Sequence, residues 1–242
     1  VHGGLDRVVA GLSQEAPRAF VERERPSFLH LHNIHPGFGP AFLRWIAARK
    51  IPALYTIHNH RFYCTNGLAL RNGSICRDCR ESPSVLRPVL RPVLRPVLRN
   101  CNASFTKSTY HALALRQIRA ERLLESPSLT LLAPSPYIAG EVARSGVRAK
   151  VRVFSHGVDL QTGLAATGAR GADVLFVGRL SEEKGARCLL AAAALAPELS
   201  FLIIGEGPLL DELRASAPAN VRIAGKISRE AILSEMKVSK VA

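Results

Sequence analysis

The stretch that decides the fold is "DVLFVGRLSEEKGARCLLAAAALAP", from Asp173 to Pro197. Val174 to Val177 is continuously apolar, as in strands buried on both faces of a parallel sheet. Gly178 and Arg179 follow it, and Lys184 and Gly185 open an Ala-rich helix that Pro197 closes. A strand leading through a turn into a helix is the repeating unit of a parallel α/β fold. Ligands gather at the carboxyl edge of such sheets, and the N-terminal amides of the next helix favour negative charge. Arg grips phosphate oxygens as a planar fork and Lys as a point charge, so Arg179 and Lys184 together can hold a diphosphate. A second reading is local: the two cations pair with Glu182 and Glu183.

The alternation continues on both sides. Apolar runs begin at Phe28, Ala53, Leu129 and Val151, and later at Leu199 and Val221. Helical patterns separate them at Gly39–Lys50, Ser108–Leu124, Pro136–Gly146, Pro208–Ser216 and Ser228–Lys240. Ser135 and Ser228 are natural N-caps, Pro136 suits a first helical position and Gly146 a stop. The chain is therefore expected to be α/β with parallel sheets. A Gly-, Thr- and Ala-rich stretch, Gly157–Val174, marks a linker between a first lobe at 1–165 and a second at 166–242. Val85–Asn100 is four copies of V-L-R-P/N. Proline at every fourth residue predicts an extended, polyproline-like arm. This arm is either a low-complexity insert without a role or a basic, apolar strip for an acidic membrane surface.

The balance of 33 Lys and Arg against 19 Asp and Glu, net +14, favours anionic partners. The cations are dispersed and only four residues are Tyr, so an aromatic-studded nucleic-acid groove is not expected. No apolar run reaches eighteen residues, and "VHGGLDRVV" is not a charged-then-apolar leader. Five cysteines do not make a secreted disulfide scaffold, which predicts a reducing, cytoplasmic setting.

Four further motifs bear on chemistry. In "FLIIGEGPLLDEL", Phe201–Leu213, a strand runs into Gly205 and Gly207, where a backbone can approach a ligand closely. Leu210 stands where a dinucleotide fingerprint needs its third glycine. Gly3 and Gly4 read as a loop leading into a helix, able to cradle a phosphate or a sugar, or as an ordinary turn. His30 and His32 share one strand face, as do His58 and His60. His58, directly after an apolar run, is the histidine singled out for function. Cys64, Cys76, Cys79 and Cys101 are open between a zinc or disulfide knot and free thiols.

Taken in order, these motifs resemble the family 4 retaining glycosyltransferases of the GT-B fold. "GGLDRVV" is similar to the family's N-terminal glycine loop. "TIHNHRFYCTNGLALRNGSICRDC" resembles its T-x-H-D, Cys, Gly, C-x-x-C segment. "APSPYIAGEVARSGV" and "VRVFSHGVDL" resemble its later N-lobe motifs, and "FVGRLSEEKG" with "LIIGEGPLLDEL" its two donor-domain motifs. The resemblance implies two Rossmann-like lobes with an active site between them and a UDP- or GDP-linked sugar as donor substrate, with no cofactor. Arg179 and Lys184 take the donor diphosphate, and Gly205 and Gly207 lie near the nucleotide. Gly3 and Gly4 approach diphosphate or acceptor, and His58 is the catalytic candidate beside the transferring sugar. The acceptor is a glycan or a lipid-linked sugar, met in the cytoplasm or peripherally at the inner membrane face. The absence of D-x-D agrees with metal independence. Asn59 and His156 depart from the family's Asp and Asn. No first strand precedes Gly3, and the family's Glu-x7-Glu segment is expected beyond Ala242, so the second lobe reads as incomplete and the chain alone as weakly active or inactive. The alternative function is a non-catalytic nucleotide- or polyanion-binding module.

Overall fold

The computed structural model describes residues 15–34, 38–80, 91–157 and 171–241. Gly3 and Gly4, the first half of the V-L-R-P repeat and most of the Gly157–Val174 stretch lie outside them. The chain divides into two compact units, Val1–Gly157 and Val158–Ala242.

In the first unit, α1 (Glu15–Glu24) leads to β1 (Leu29–His32), α2 (Gly39–Ala48) and β2 (Ala53–Thr56). A hairpin, β3 (Leu70–Arg71) with β4 (Ser74–Ile75), precedes α3 (Arg91–Leu98) and α4 (Phe105–Ala120). Then come β5 (Leu129–Ala133), α5 (Pro136–Arg144) and β6 (Lys150–Val153). The sheet order is β1-β2-β5-β6 and every pair is parallel. Parallel neighbours need crossovers, and α2, the α3–α4 segment and α5 supply them. α2 buries Phe42, Leu43, Trp45 and Ile46 against the sheet, whereas Arg44 points out to a two-pronged bond with Glu121. Leu131 and Ala133 of β5 are fully buried, which places the core over the central strands. Ser135 caps α5 by accepting from the Ile138 N–H, and Gly146 follows that helix at φ 79°, both as its sequence predicts.

Three features differ from expectation or were absent from it. The second half of the V-L-R-P repeat is a helix, α3, and not an extended arm. Pro92 sits at its second position, where a backbone N–H has no intrahelical acceptor to lose. Only Pro96 is interior, a substitution that ordinarily costs ~3 kcal/mol. Pro96 is fully buried, its carbonyl accepts from Cys101 N–H at 3.0 Å, and α3 packs on α4. Arg95 and Arg99 both pair with Asp78, since a period of four sets them one turn apart on one side. The β3–β4 hairpin turns on Asn72 and Gly73, both at positive φ, the Asn-Gly signature of a tight hairpin. α4 starts at Phe105, earlier than its pattern suggests, because the Ser104 hydroxyl accepts from Lys107 N–H.

In the second unit, β7 (Val174–Val177), α6 (Ala186–Leu195), β8 (Phe201–Ile204), α7 (Leu210–Ser216), β9 (Val221–Gly225) and α8 (Arg229–Val238) alternate. The sheet is parallel in the order β7-β8-β9. All four residues of β8 are buried. Ile203 packs with Leu180, Leu190 and Leu213 on one face, and Leu202 and Ile204 with Ile227 and Ile232 on the other. Helices on both faces of a parallel sheet make each unit Rossmann-like.

The β7 and β8 exits are locked together beyond the strands. Gly178 N–H donates to Ile204 O and Leu180 N–H to Glu206 O, at 3.0 and 2.8 Å. Leu209 N–H returns to Leu180 O. Any Cβ on Gly205 would overlap the Gly178 carbonyl, and one on Gly207 the Leu180 carbonyl. Both glycines are thus required by contact between two protein loops, with no ligand invoked. Gly205→Ala, at φ 148° and against backbone, is expected to destabilise the second unit by about 3 kcal/mol or more. Gly185→Ala, at φ 73° with open space around it, should cost about 1–2 kcal/mol. Denaturant melts of both variants check the contrast, and equal losses would contradict the packing account.

Candidate functional site

Three strands of the first unit deliver histidines to one place. His30 and His32 lie on the same face of β1, His58 follows β2 and His156 follows β6. Because the strands are parallel, all three exits share the carboxyl edge. His30 Nε2 lies 2.8 Å from Thr56 Oγ1, and His32 Nδ1 lies 2.7 Å from His58 Nε2. The His58 ring is 5.0 Å from that of His32 and stacks on that of His156 at 5.3 Å, nearly parallel. Desolvation against these neighbours, then the charges of His32, His156 and His30, pushes the His58 imidazole below its usual range. The same causes lower His32, with desolvation first and then His30 and His156. At neutral pH His58 is therefore uncharged and can accept a hydrogen bond from a hydroxyl.

His60 does not share a strand face with His58, because β2 ends at Thr56. It packs instead among Phe62, Tyr63 and Tyr137. The loop after His58 is internally bonded. Asn59 Oδ1 accepts from Arg61 N–H at 3.1 Å, a short polar turn that Asn makes as readily as the family's Asp. Arg61 Nη1 donates to Thr65 O at 2.9 Å and lies 3.2 Å from His111 Nδ1. A narrow pocket beneath the edge is lined by Asn33, Tyr55, His58, Asn59, Arg61 and Phe62, among others.

Buried Glu141 of α5 anchors the rest of this loop. It accepts from Arg80 at 2.9 and 3.0 Å, from Arg144 and from the Tyr63 hydroxyl. Burial works to raise its carboxyl, but the bonds from Arg144 and Arg80 outweigh that and hold it below the usual range. Cys64, Cys76, Cys79 and Cys101 are free thiols. Cys64 Sγ donates to Asn66 Oδ1 at 3.0 Å. Burial, then the neighbouring Cys64, Cys101 and Cys76, pushes Cys79 up to about 12, so it is a protonated thiol and a poor nucleophile. Among the described residues, no three His, Cys, Asp or Glu side chains are gathered to hold a metal.

In the second unit, Arg179 and Lys184 are exposed beyond the carboxyl end of β7, within the turn that enters α6. The local-pairing reading fails for Glu182, which pairs with Arg187, itself held two-pronged by Glu212 at 2.7 Å. Glu183 accepts from Ser181 Oγ at 2.7 Å. That bond is the main cause lowering its carboxyl, and Arg179 and Lys184 add a weaker pull from a distance. Among the described residues neither cation makes an ion pair with a carboxylate.

The model of the family described as Glycosyltransferase Family 4 matches residues 5–162. The chain belongs to that family. No curated protein sequence matches it. Two α/β units with parallel sheets are the architecture of GT-B lobes, so family and fold agree. For this glycosyltransferase family 4 chain, the histidine cluster falls inside the matched region. The sequence singles out His58, and the structure places His30, His32 and His156 beside it. The available signal was that three apolar runs each lead to a histidine at the same sheet edge. Among the described residues, no helix is long and apolar enough to cross a membrane.

The electrostatics make one stability test. Burial, then the charges of Arg61 and Lys107, pushes His111 down to about 4. Between about pH 6.5 and 4 the unfolded chain binds a proton there that the folded chain does not, so stability is complete above pH 6.5 and falls as pH drops. With allowance for its partial exposure, the loss by pH 5 is about 1 kcal/mol. His111→Gln should shallow the decline, while His32, His58 and His60 keep some of it. Urea midpoints at pH 7 and pH 5 measure this, and an unchanged slope would assign the pH dependence to other groups.

Proposed function

We propose that the protein transfers a sugar from a UDP- or GDP-linked donor to a glycan or lipid-linked acceptor, with retention and without a metal. The observation that carries the reading is the pair of cations at the β7 exit. Glu182 is committed to Arg187 and Glu183 to Ser181, which leaves Arg179 and Lys184 for an outside anion. Charge builds on a diphosphate leaving group as the glycosidic bond breaks, and positioned cations lower that barrier. The sequence has no D-x-D to bring a metal for the same purpose. Gly3 and Gly4 serve the diphosphate or the acceptor from the first unit. His58, neutral at pH 7, takes a hydroxyl of the sugar or of the acceptor.

The acceptor is met in the cytoplasm, at the inner membrane face. α3 supports this placement, since Leu94 and Leu98 are exposed one turn apart beside a basic sequence. Exposed apolar side chains on one side of a helix suit a lipid surface.

Calorimetric titration with UDP and GDP tests the donor site. One of the two should bind selectively, and Arg179→Ala or Lys184→Ala should each weaken binding by about ten- to a hundredfold, the range for a charged hydrogen bond. Tight, salt-steep binding to DNA with no nucleotide preference would replace this reading with that of a polyanion-binding module, which the +14 charge favours.

A further inference from the structure

The His58 ring is held on two sides. His32 meets its Nε2 at 2.7 Å, and His156 stacks on its face at 5.3 Å. His32 is itself fixed. It lies on β1, its ring 4.2 Å from that of His30, which is tied to the buried Thr56 hydroxyl at 2.8 Å. Two ring nitrogens at 2.7 Å must share one proton, because two N–H groups collide and two lone pairs repel. Only two arrangements satisfy that. In one, His58 donates its Nε2–H to a bare His32 Nδ1, and both rings keep the Nε2–H tautomer that a neutral histidine side chain intrinsically prefers. In the other, both rings adopt the disfavoured Nδ1–H form. Among the described residues, neither His58 Nδ1 nor His32 Nε2 makes a second hydrogen bond that would reverse the preference.

We propose that His32 is the positioning residue for His58, fixing it as the Nε2–H tautomer so that Nδ1 carries a bare lone pair for a substrate hydroxyl. This rests on the reading of His58 as the group beside the transferring sugar. The groups facing His58 support a neutral ring. His30 and His32 from β1 and His156 after β6 all oppose a proton on it, and among the described residues no carboxylate offsets them. The sequence logic is that of a second residue that sets which ring nitrogen a functional histidine offers, a task usually done by a carboxylate or a carbonyl. Here an imidazole does it, which adds no negative charge beside His58.

The test is long-range 1H–15N spectroscopy of the full chain with 15N-labelled histidine at pH 8, with His58 assigned by His58→Gln. The wild type should show His58 protonated at Nε2 and bare at Nδ1. His32→Phe keeps a ring and removes the acceptor, so both His58 nitrogens should move to the averaged shifts of two exchanging tautomers. His32→Asn places a side-chain oxygen near the former Nδ1 and should restore the wild-type pattern. An Nδ1–H His58 in the wild type overturns the proposal, as does a His58 spectrum that His32→Phe leaves unchanged, or a His32→Asn spectrum equal to that of His32→Phe. The wild-type spectrum decides the tautomer even if a variant misfolds. No donor is needed, so failure to bind a nucleotide sugar would sink the functional reading without touching this result.

Discussion

The hydrogen-bond ladder of a parallel sheet is the constraint on which the rest of this molecule depends. Parallel neighbours exchange evenly spaced bonds only if every strand points the same way, so each strand must be followed by a crossover and each exit lies on one edge. In the first unit that rule takes histidines separated by 126 positions, His30 and His156, and brings them into one cluster. In the second unit it brings Arg179 to the same edge as the Gly205–Gly207 turn. Neither grouping needs contacts from the helices. It needs only that β1, β2, β5 and β6, and separately β7, β8 and β9, keep their order.

The ladder also explains what could be read in advance. Strands buried on two faces are written as unbroken apolar runs, so "LTLLA" and "FLII" were legible without context, as were helix starts marked by Ser135 and Ser228. The V-L-R-P repeat misled because proline acts through position. A proline at the second helical residue removes nothing, and burial of Pro96 against α4 outweighs one missing bond. Local sequence does not announce such tertiary compensation. The β3–β4 hairpin is too short to have a period, although Asn72-Gly73 marked its turn. The glycines at 205 and 207 stand out in the sequence for close approach to a ligand, and the fold shows a second demand on them. They admit the Gly178 and Leu180 carbonyls.

That close approach bears on the candidate donor turn. Gly178 and Leu180 both donate to the β8 exit, so the backbone on each side of Arg179 is fixed while its side chain remains exposed. The guanidinium is open to solvent, and the backbone at its root is tied down on both sides. The Glu182–Arg187–Glu212 set does the equivalent for the next turn, tying the entry of α6 to α7 and committing the Glu182 carboxylate to Arg187. Surface ion pairs of this kind add little stability. Their effect here is to decide which cations remain uncommitted.

Glu141 has a consequence in time rather than in space. Its partners Arg80 and Tyr63 precede it by 61 and 78 residues. A chain emerging from the ribosome at about 5–20 residues per second holds the cysteine-rich loop for several seconds before the carboxylate that secures it exists. During that interval Arg80 has no buried acceptor in α5, and the thiols of Cys76 and Cys79 wait on a loop that is not yet anchored. The last helix of the first unit thus sets the moment at which this loop is sealed, and the order of synthesis leaves the Cys79 thiol open to chemistry that its burial in the finished fold disfavours.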